Sequence, residues 1–120
     1  MTGKPDTRAC DMPAALAPLT LLNDAFRRDP TGGQLFTTAG VISLGDAALL
    51  SVLELVHTFD AFTPDNDPNG EHDFGSFHWQ GERLFWKIDY YDRSLRLGSP
   101  DPLDPSLTIR VLTIMLASEY

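Results

Sequence analysis

A single cysteine, Cys10, stands in the 120-residue chain. No intrachain disulfide can form, and a reducing, cytoplasmic setting is expected. No run approaches the roughly 18 apolar residues of a membrane span, so no membrane partner is expected. Residues 1–13 hold no apolar stretch, and no signal peptide is expected there. Positive charge is scarce: nine Lys and Arg against seventeen Asp and Glu leave a formal net charge of −8. Such a surface repels phosphate backbones, which argues against direct nucleic-acid binding. It suits a basic protein surface, a cation, or plain solubility. No Gly-x-Ser-x-Gly elbow and no Gly-rich phosphate loop occur, so covalent catalysis lacks a visible nucleophile.

Against these absences stands an ordinary globular composition, 42% apolar and 22% charged, enough for one core in one domain. Residues 1–13 read as a disordered tail and 14–120 as a single α+β domain. Pro18 to Arg28 reads as a helix with Pro in its first turn and Leu19, Leu22 and Phe26 on one face. Gln34–Thr38 reads as a strand. Ser43 to Asp46 resembles a capping box, and the helix after it runs to Phe59 with Leu49, Val52, Leu53, Val56 and Phe59 inward. Phe74–Trp79 and Arg83–Tyr91, split by Gln80-Gly81-Glu82, have the pattern of a hairpin. Aromatics on both faces of the second strand place it inside a sheet. Leu95 and Leu97 suggest a further short strand. Asp104-Pro105-Ser106 reads as the start of a last, buried helix through Ala117. The expected fold is a small, mainly antiparallel sheet with three helices, in the order α-β-α-β-β-α.

Polar residues concentrate between Asp60 and Asp92. Asp65-x-Asp67-x-Asn69-Gly70 matches the first half of a calcium loop, with the Glu71 carbonyl and Asp73 at later ligand positions. The twelfth position is Ser76 rather than a bidentate Glu, which removes two of about seven ligands. Asp65, Asn66, Asp67 and Asn69 read equally as turn residues that satisfy local backbone groups. Glu71-His72-Asp73, with His78, is the candidate set for acid–base or transition-metal chemistry. On a strand, His78 and Asp73 point to opposite faces. Lys87, Asp89 and Tyr91 share a strand face and would line a polar cleft. Tyr90, Tyr91, Arg93 and Arg96 are candidate protein contacts, because aromatics and Arg dominate binding hot spots.

Four blocks together carry a resemblance: Leu22-Asn23-Asp24-Ala25-Phe26-Arg27, the stretch from Phe62 to Gly75, Phe85 to Asp92, and Arg110 to Ala117. They resemble a family of small bacterial proteins of unknown function, often encoded on plasmids and other mobile elements. The resemblance implies no activity and no catalytic residue; it implies a biological setting. The leading expectation is a non-enzymatic, acidic protein-binding domain, in that setting an anti-restriction or anti-CRISPR inhibitor. It would use Asp65, Asp67, Glu71, Asp73, Tyr90, Tyr91 and Arg93 against a basic protein surface. Two alternatives stand beside it. One is a metal-dependent or acid–base enzyme built on Glu71-His72-Asp73. The other is an accessory protein with calcium on Asp65, Asp67, Asn69, Glu71 and Asp73.

Overall fold

The computed structural model describes residues 17–120. The expected N-terminal tail, residues 1–13, and Cys10 lie outside the described residues. Helix α1 spans Pro18–Arg28 with Pro at its first position, as expected, and a short 3-10 turn at Pro30–Gly32 follows. Strand β1 is Gln34–Thr37, helix α2 is Ala39–Ile42 and helix α3 is Asp46–His57. Strands β2 (Phe74–Trp79) and β3 (Glu82–Tyr91) form the expected hairpin. Gln80 and Gly81 both take positive φ, 46° and 83°, the geometry whose twist suits a two-residue hairpin turn. Strand β4 is Ile109–Leu116, and a 3-10 turn at Ala117–Glu119 follows it.

The sheet has four strands in the order β1-β4-β3-β2. β2–β3 and β3–β4 are antiparallel, while β1 runs parallel to β4, so the sheet is mixed. The α+β class is as expected; the element order and sheet pattern differ because the last helix is instead β4. Asp104 does cap: its carboxylate accepts from the Ser106 backbone N–H (2.9 Å) and hydroxyl (2.7 Å). It caps a turn rather than a helix. The following Ile109-Arg110-Val111-Leu112-Thr113-Ile114 is rich in β-branched residues and sits between β1 and β3. Val111, Leu112, Ile114 and Met115 are all buried, so the strand shows no alternation and imitates a buried helix.

Two smaller expectations also change. Ser43 does not cap α3; it closes α2 instead, and its hydroxyl donates to the Gly40 carbonyl at 2.6 Å. α3 begins after Gly45, whose φ of 101° favours glycine. Leu95 and Leu97 form no strand, and only a Tyr91–Gly98 bridge remains there.

One sheet face carries the core. Phe26 of α1, Val41 of α2 and Val52 and Val56 of α3 pack with Leu84, Trp86, Ile88, Leu112 and Ile114. Leu49, Leu53 and Phe59 join this cluster, as the helical spacing predicts. At Gly75 a Cβ would collide with the Trp86 indole and the Phe59 ring, so only glycine admits that tryptophan. The opposite sheet face bears Phe85, Lys87, Asp89 and Tyr91 from β3, with Val111, Thr113 and Met115 beside them on β4.

Candidate functional site

Helix α1 turns its polar side inward. Thr20, Asn23, Asp24 and Arg27 are all buried, while Leu21 is exposed. The expected apolar stripe contributes Phe26, but the polar residues make the dock. A buried polar group must find partners or cost about 1–3 kcal/mol. Thr20, Asn23 and Asp24 find them in the Gly70–Asp73 loop and on the two central strands, while Arg27 is held by Asp24 and the Phe59 carbonyl, with its Nε left unpartnered among the described residues. The Thr20 hydroxyl donates to the Gly70 carbonyl at 2.7 Å. Asn23 Nδ2 donates to the Glu71 carbonyl (3.0 Å) and to the Tyr90 hydroxyl (2.8 Å). Asn23 Oδ1 accepts from Arg110 Nε at 3.0 Å. Arg110 also donates to the Pro102 carbonyl at 2.7 Å and lies over the Tyr90 ring.

Asp24 and Arg27 form the second half of this layer. Arg27 Nη1 donates to Asp24 Oδ1 at 2.9 Å, and Nη2 donates to the Phe59 carbonyl at 3.0 Å. The guanidinium lies 5.1 Å from the Trp86 ring centroid and 5.2 Å from that of Phe62. Burial pushes Arg27 below its ordinary pKa, and Asp24 pulls it back up. Asp24 Oδ1 also lies 2.9 Å from His72 Nδ1. On the other side of the imidazole, Nε2 lies 3.5 Å from Asp67 Oδ2. The imidazole stacks on Phe62, with centroids 3.7 Å apart and planes 4° apart. His72 reaches this position with a φ of 56°, an uncommon conformation for a residue with a Cβ.

The sequence-derived residues therefore fall into separate places. Asp65 is exposed at the loop tip. Asn66 organises that tip: its side chain accepts from the Thr63 backbone N–H and donates to the Ala61 carbonyl, the turn role expected of it. Asp67 turns toward His72, accepting from the His72 backbone N–H at 3.4 Å through its other oxygen. Asp73 accepts from the Tyr90 hydroxyl at 3.3 Å. Asn69 and Asp67 border a shallow depression of about 370 Å3 with Phe62 and His72. Among the described residues no three His, Cys, Asp or Glu side chains converge as a metal-binding group. Glu71, His72 and Asp73 do not act as a unit, because His72 is paired with Asp24 and Asp67 instead. Burial, with Asp73 and Asp67 adding to it, holds the Glu71 carboxyl above its ordinary pKa. Burial foremost pushes the Tyr90 phenol up to about 12. His57 closes α3, its Nε2 buried without a hydrogen-bond partner among the described residues.

Lys87, Asp89 and Tyr91 do share a cleft, on the face away from the helices. Lys87 Nζ lies 3.0 Å from Asp89, and this hydrogen bond foremost raises the lysine pKa. With Gln34, Phe36 and Leu95 they line a cavity of about 370 Å3. At the other end of the same face the Phe74, Phe85 and Tyr120 rings cluster, with Phe85–Tyr120 centroids 5.3 Å apart. Arg93 is exposed in the turn after β3, which Asp92 organises by accepting from the Ser94, Arg96 and Leu97 backbone N–H groups.

The loop, the hairpin and β4 all fall within residues 37–119, which match a family model described as a protein of unknown function, DUF3768. The chain belongs to the DUF3768 family. The match starts at the last residue of β1, so α1, with Asn23, Asp24 and Arg27, precedes the matched span of this DUF3768 protein. No curated protein and no solved structure matches it. No described helix is long and apolar enough to cross a membrane. The residues that the sequence reading missed as a site are Asn23, Asp24 and Arg27. The available signal was a polar stripe at helical spacing, Thr20, Asn23, Asp24 and Arg27.

Proposed function

We propose that this protein is a non-enzymatic binding domain that docks a protein with a basic surface through the open face of its sheet. The observation that carries the reading is the cleft around Lys87 and Asp89. Phe36, 53% exposed, stands at it with Tyr91 and Leu95, and no helix covers it among the described residues. Exposed aromatics beside charged groups are the composition of protein contact sites. The net charge of −8 supports a basic partner and electrostatic steering toward it. Loop carboxylates contribute long-range field rather than direct contacts, except exposed Asp60 and Asp65, because Asp67 and Asp73 are engaged inside the fold. A cytoplasmic, mobile-element setting goes with this reading, and the partner class is a basic protein of restriction or CRISPR defence.

Purified effectors of those systems test the proposal in titrations at two ionic strengths. The expected result is a complex that weakens with salt. Phe36→Glu should weaken it at least tenfold, and Asp60→Lys with Asp65→Lys more modestly. A complex indifferent to salt and to Phe36→Glu, or no complex with any such effector, overturns the reading. The enzyme alternative keeps one favourable observation, the oriented Asp24–His72 pair, and loses Glu71 and Asp73 as partners of that histidine.

A further inference from the structure

We propose that Arg110 anchors a small monocarboxylate ligand with an apolar body, in the cavity between α1 and the turn before β4. This site lies on the helix side of the sheet and does not rest on the docking role of the open face. Arg110 is only 8% exposed. A guanidinium carries five N–H donors and a permanent charge. Among the described residues two of the five are used: Nε on Asn23 Oδ1 and Nη2 on the Pro102 carbonyl. Both acceptors are neutral, and so is the Tyr90 ring it lies over. No carboxylate stands within ion-pair distance of Arg110 among the described residues. A buried charge is ordinarily paired, because desolvation without a counter-charge is costly. Arg27 follows that rule through Asp24. Burial lowers the pKa of both arginines; Asp24 counters it at Arg27, and at Arg110 the Tyr90 phenol alone does so.

The side chain with this uncompensated charge lines a cavity of about 260 Å3. That volume falls below the roughly 300–1,000 Å3 of drug-sized sites, so its occupant is small. Leu22, Ala25, Phe26 and Pro105 give the cavity an apolar wall. Thr108 also lines it, but its hydroxyl is already donated to the Asp101 carbonyl at 2.8 Å. Three N–H donors of Arg110 remain, enough for the two parallel bonds by which a guanidinium holds one carboxylate. Asp29, exposed, completes the polar lining. Its charge opposes a dianion such as phosphate more than an ion of single charge. A carboxylate on an apolar body satisfies the arginine and the wall together.

The test titrates the full chain with benzoate, with benzamide as its neutral counterpart and inorganic phosphate as the dianion. Calorimetry should show one benzoate per chain with millimolar or tighter affinity. Benzamide should bind about tenfold more weakly, for want of a charge to meet the guanidinium. Phosphate should also bind more weakly than benzoate. Proton–nitrogen spectra of the wild-type chain should show benzoate shifting the Arg110 Nε–H and the Phe26 and Thr108 backbone amides. Arg110→Lys should weaken binding about tenfold, since an ammonium lacks the planar fork. That change also disturbs Asn23, so a second variant fills the cavity from an exposed helix position. Ala25→Phe should abolish benzoate binding while urea unfolding stays at the wild-type midpoint. No binding of millimolar benzoate overturns the proposal. So does benzamide or phosphate binding as tightly as benzoate, or a set of shifts confined to the Lys87 cleft. An Ala25→Phe variant that folds normally and binds benzoate as before overturns it too.

Discussion

The two faces of the sheet solve opposite problems with similar residue types. On the helix face, Asn23, Asp24, Arg27, Tyr90 and Arg110 are mostly withdrawn from water, and their hydrogen bonds close on one another and on the loop. On the open face, Lys87 and Asp89 are each 37% exposed and, among the described residues, pair only with each other. A charge in the first setting is structural, since removing its partner strands it in a poor dielectric. A charge in the second exchanges its partner for water at little cost. The lesson is that polar residues in this chain cannot be sorted into core and surface by type; the depth of each decides its consequence.

Arg27→Met should break the contrast most severely. It leaves Asp24 buried beside His72 without its cation and frees the Phe59 carbonyl. Removing one partner of a buried pair costs about 3–5 kcal/mol. Urea unfolding should show that loss, or no cooperative transition at all. A loss under about 1 kcal/mol, the range of an exposed pair, would place Arg27 with the open face instead. Asn23→Ala comes next. It deletes three hydrogen bonds at once and leaves Arg110 Nε and the Glu71 carbonyl to find water. The expected cost is about 2–3 kcal/mol, read from the same unfolding curves.

That ranking was only partly legible in the sequence. The bounds of α1 were, because Pro18 and the turn at Asp29-Pro30 punctuate it. Its buried side was not. Nothing local marks Thr20, Asn23, Asp24 and Arg27 as buried, because most of their partners lie far along the chain: Glu71 is 48 residues from Asn23, Tyr90 67, and Arg110 87. Local periodicity carries no information at that range. The hairpin was legible because Gln80-Gly81 is a local signal. β4 was not, since burial on both faces erases the alternation that separates strand from helix. His72 was singled out among its chain neighbours Glu71 and Asp73, yet its imidazole meets Asp24, from another element entirely.

Tyr90→Phe sharpens the comparison at the boundary between settings. The phenol is half-buried, accepts from Asn23 and donates to Asp73. Losing both bonds should cost about 1 kcal/mol at neutral pH. The sign of its pH dependence is distinctive. The unfolded phenol ionises at its ordinary 10.0, the folded one only near 12. Between those values the unfolded chain sheds its proton first, so wild-type stability falls as pH rises. The phenylalanine variant lacks that component, and its deficit should shrink across the same window. Thermal melts of both proteins at several alkaline pH values check this. Parallel curves would mean that the phenol is not held protonated by the fold.

The smallest stability effect belongs to the open face, and it is the one that tests function. Replacing Lys87 and Asp89 together, as Lys87→Met with Asp89→Leu, should change unfolding free energy by about 0–1 kcal/mol. The pair is solvent-screened, and both replacements suit a strand surface flanked by Phe36, Tyr91 and Val111. Lys87 is held above its ordinary pKa by Asp89, so its contribution is complete below 10.5 and disappears as pH rises through the folded value. The wild-type excess over the double variant should vanish in strong alkali. If this face docks a partner, the double variant should bind at least tenfold more weakly while folding normally. Near-normal stability with lost binding would separate the faces cleanly: one holds the fold together, the other remains free to meet another protein. Equal losses of stability and binding would instead show that the open face also supports the fold, and the division drawn between the two faces would fail at Lys87.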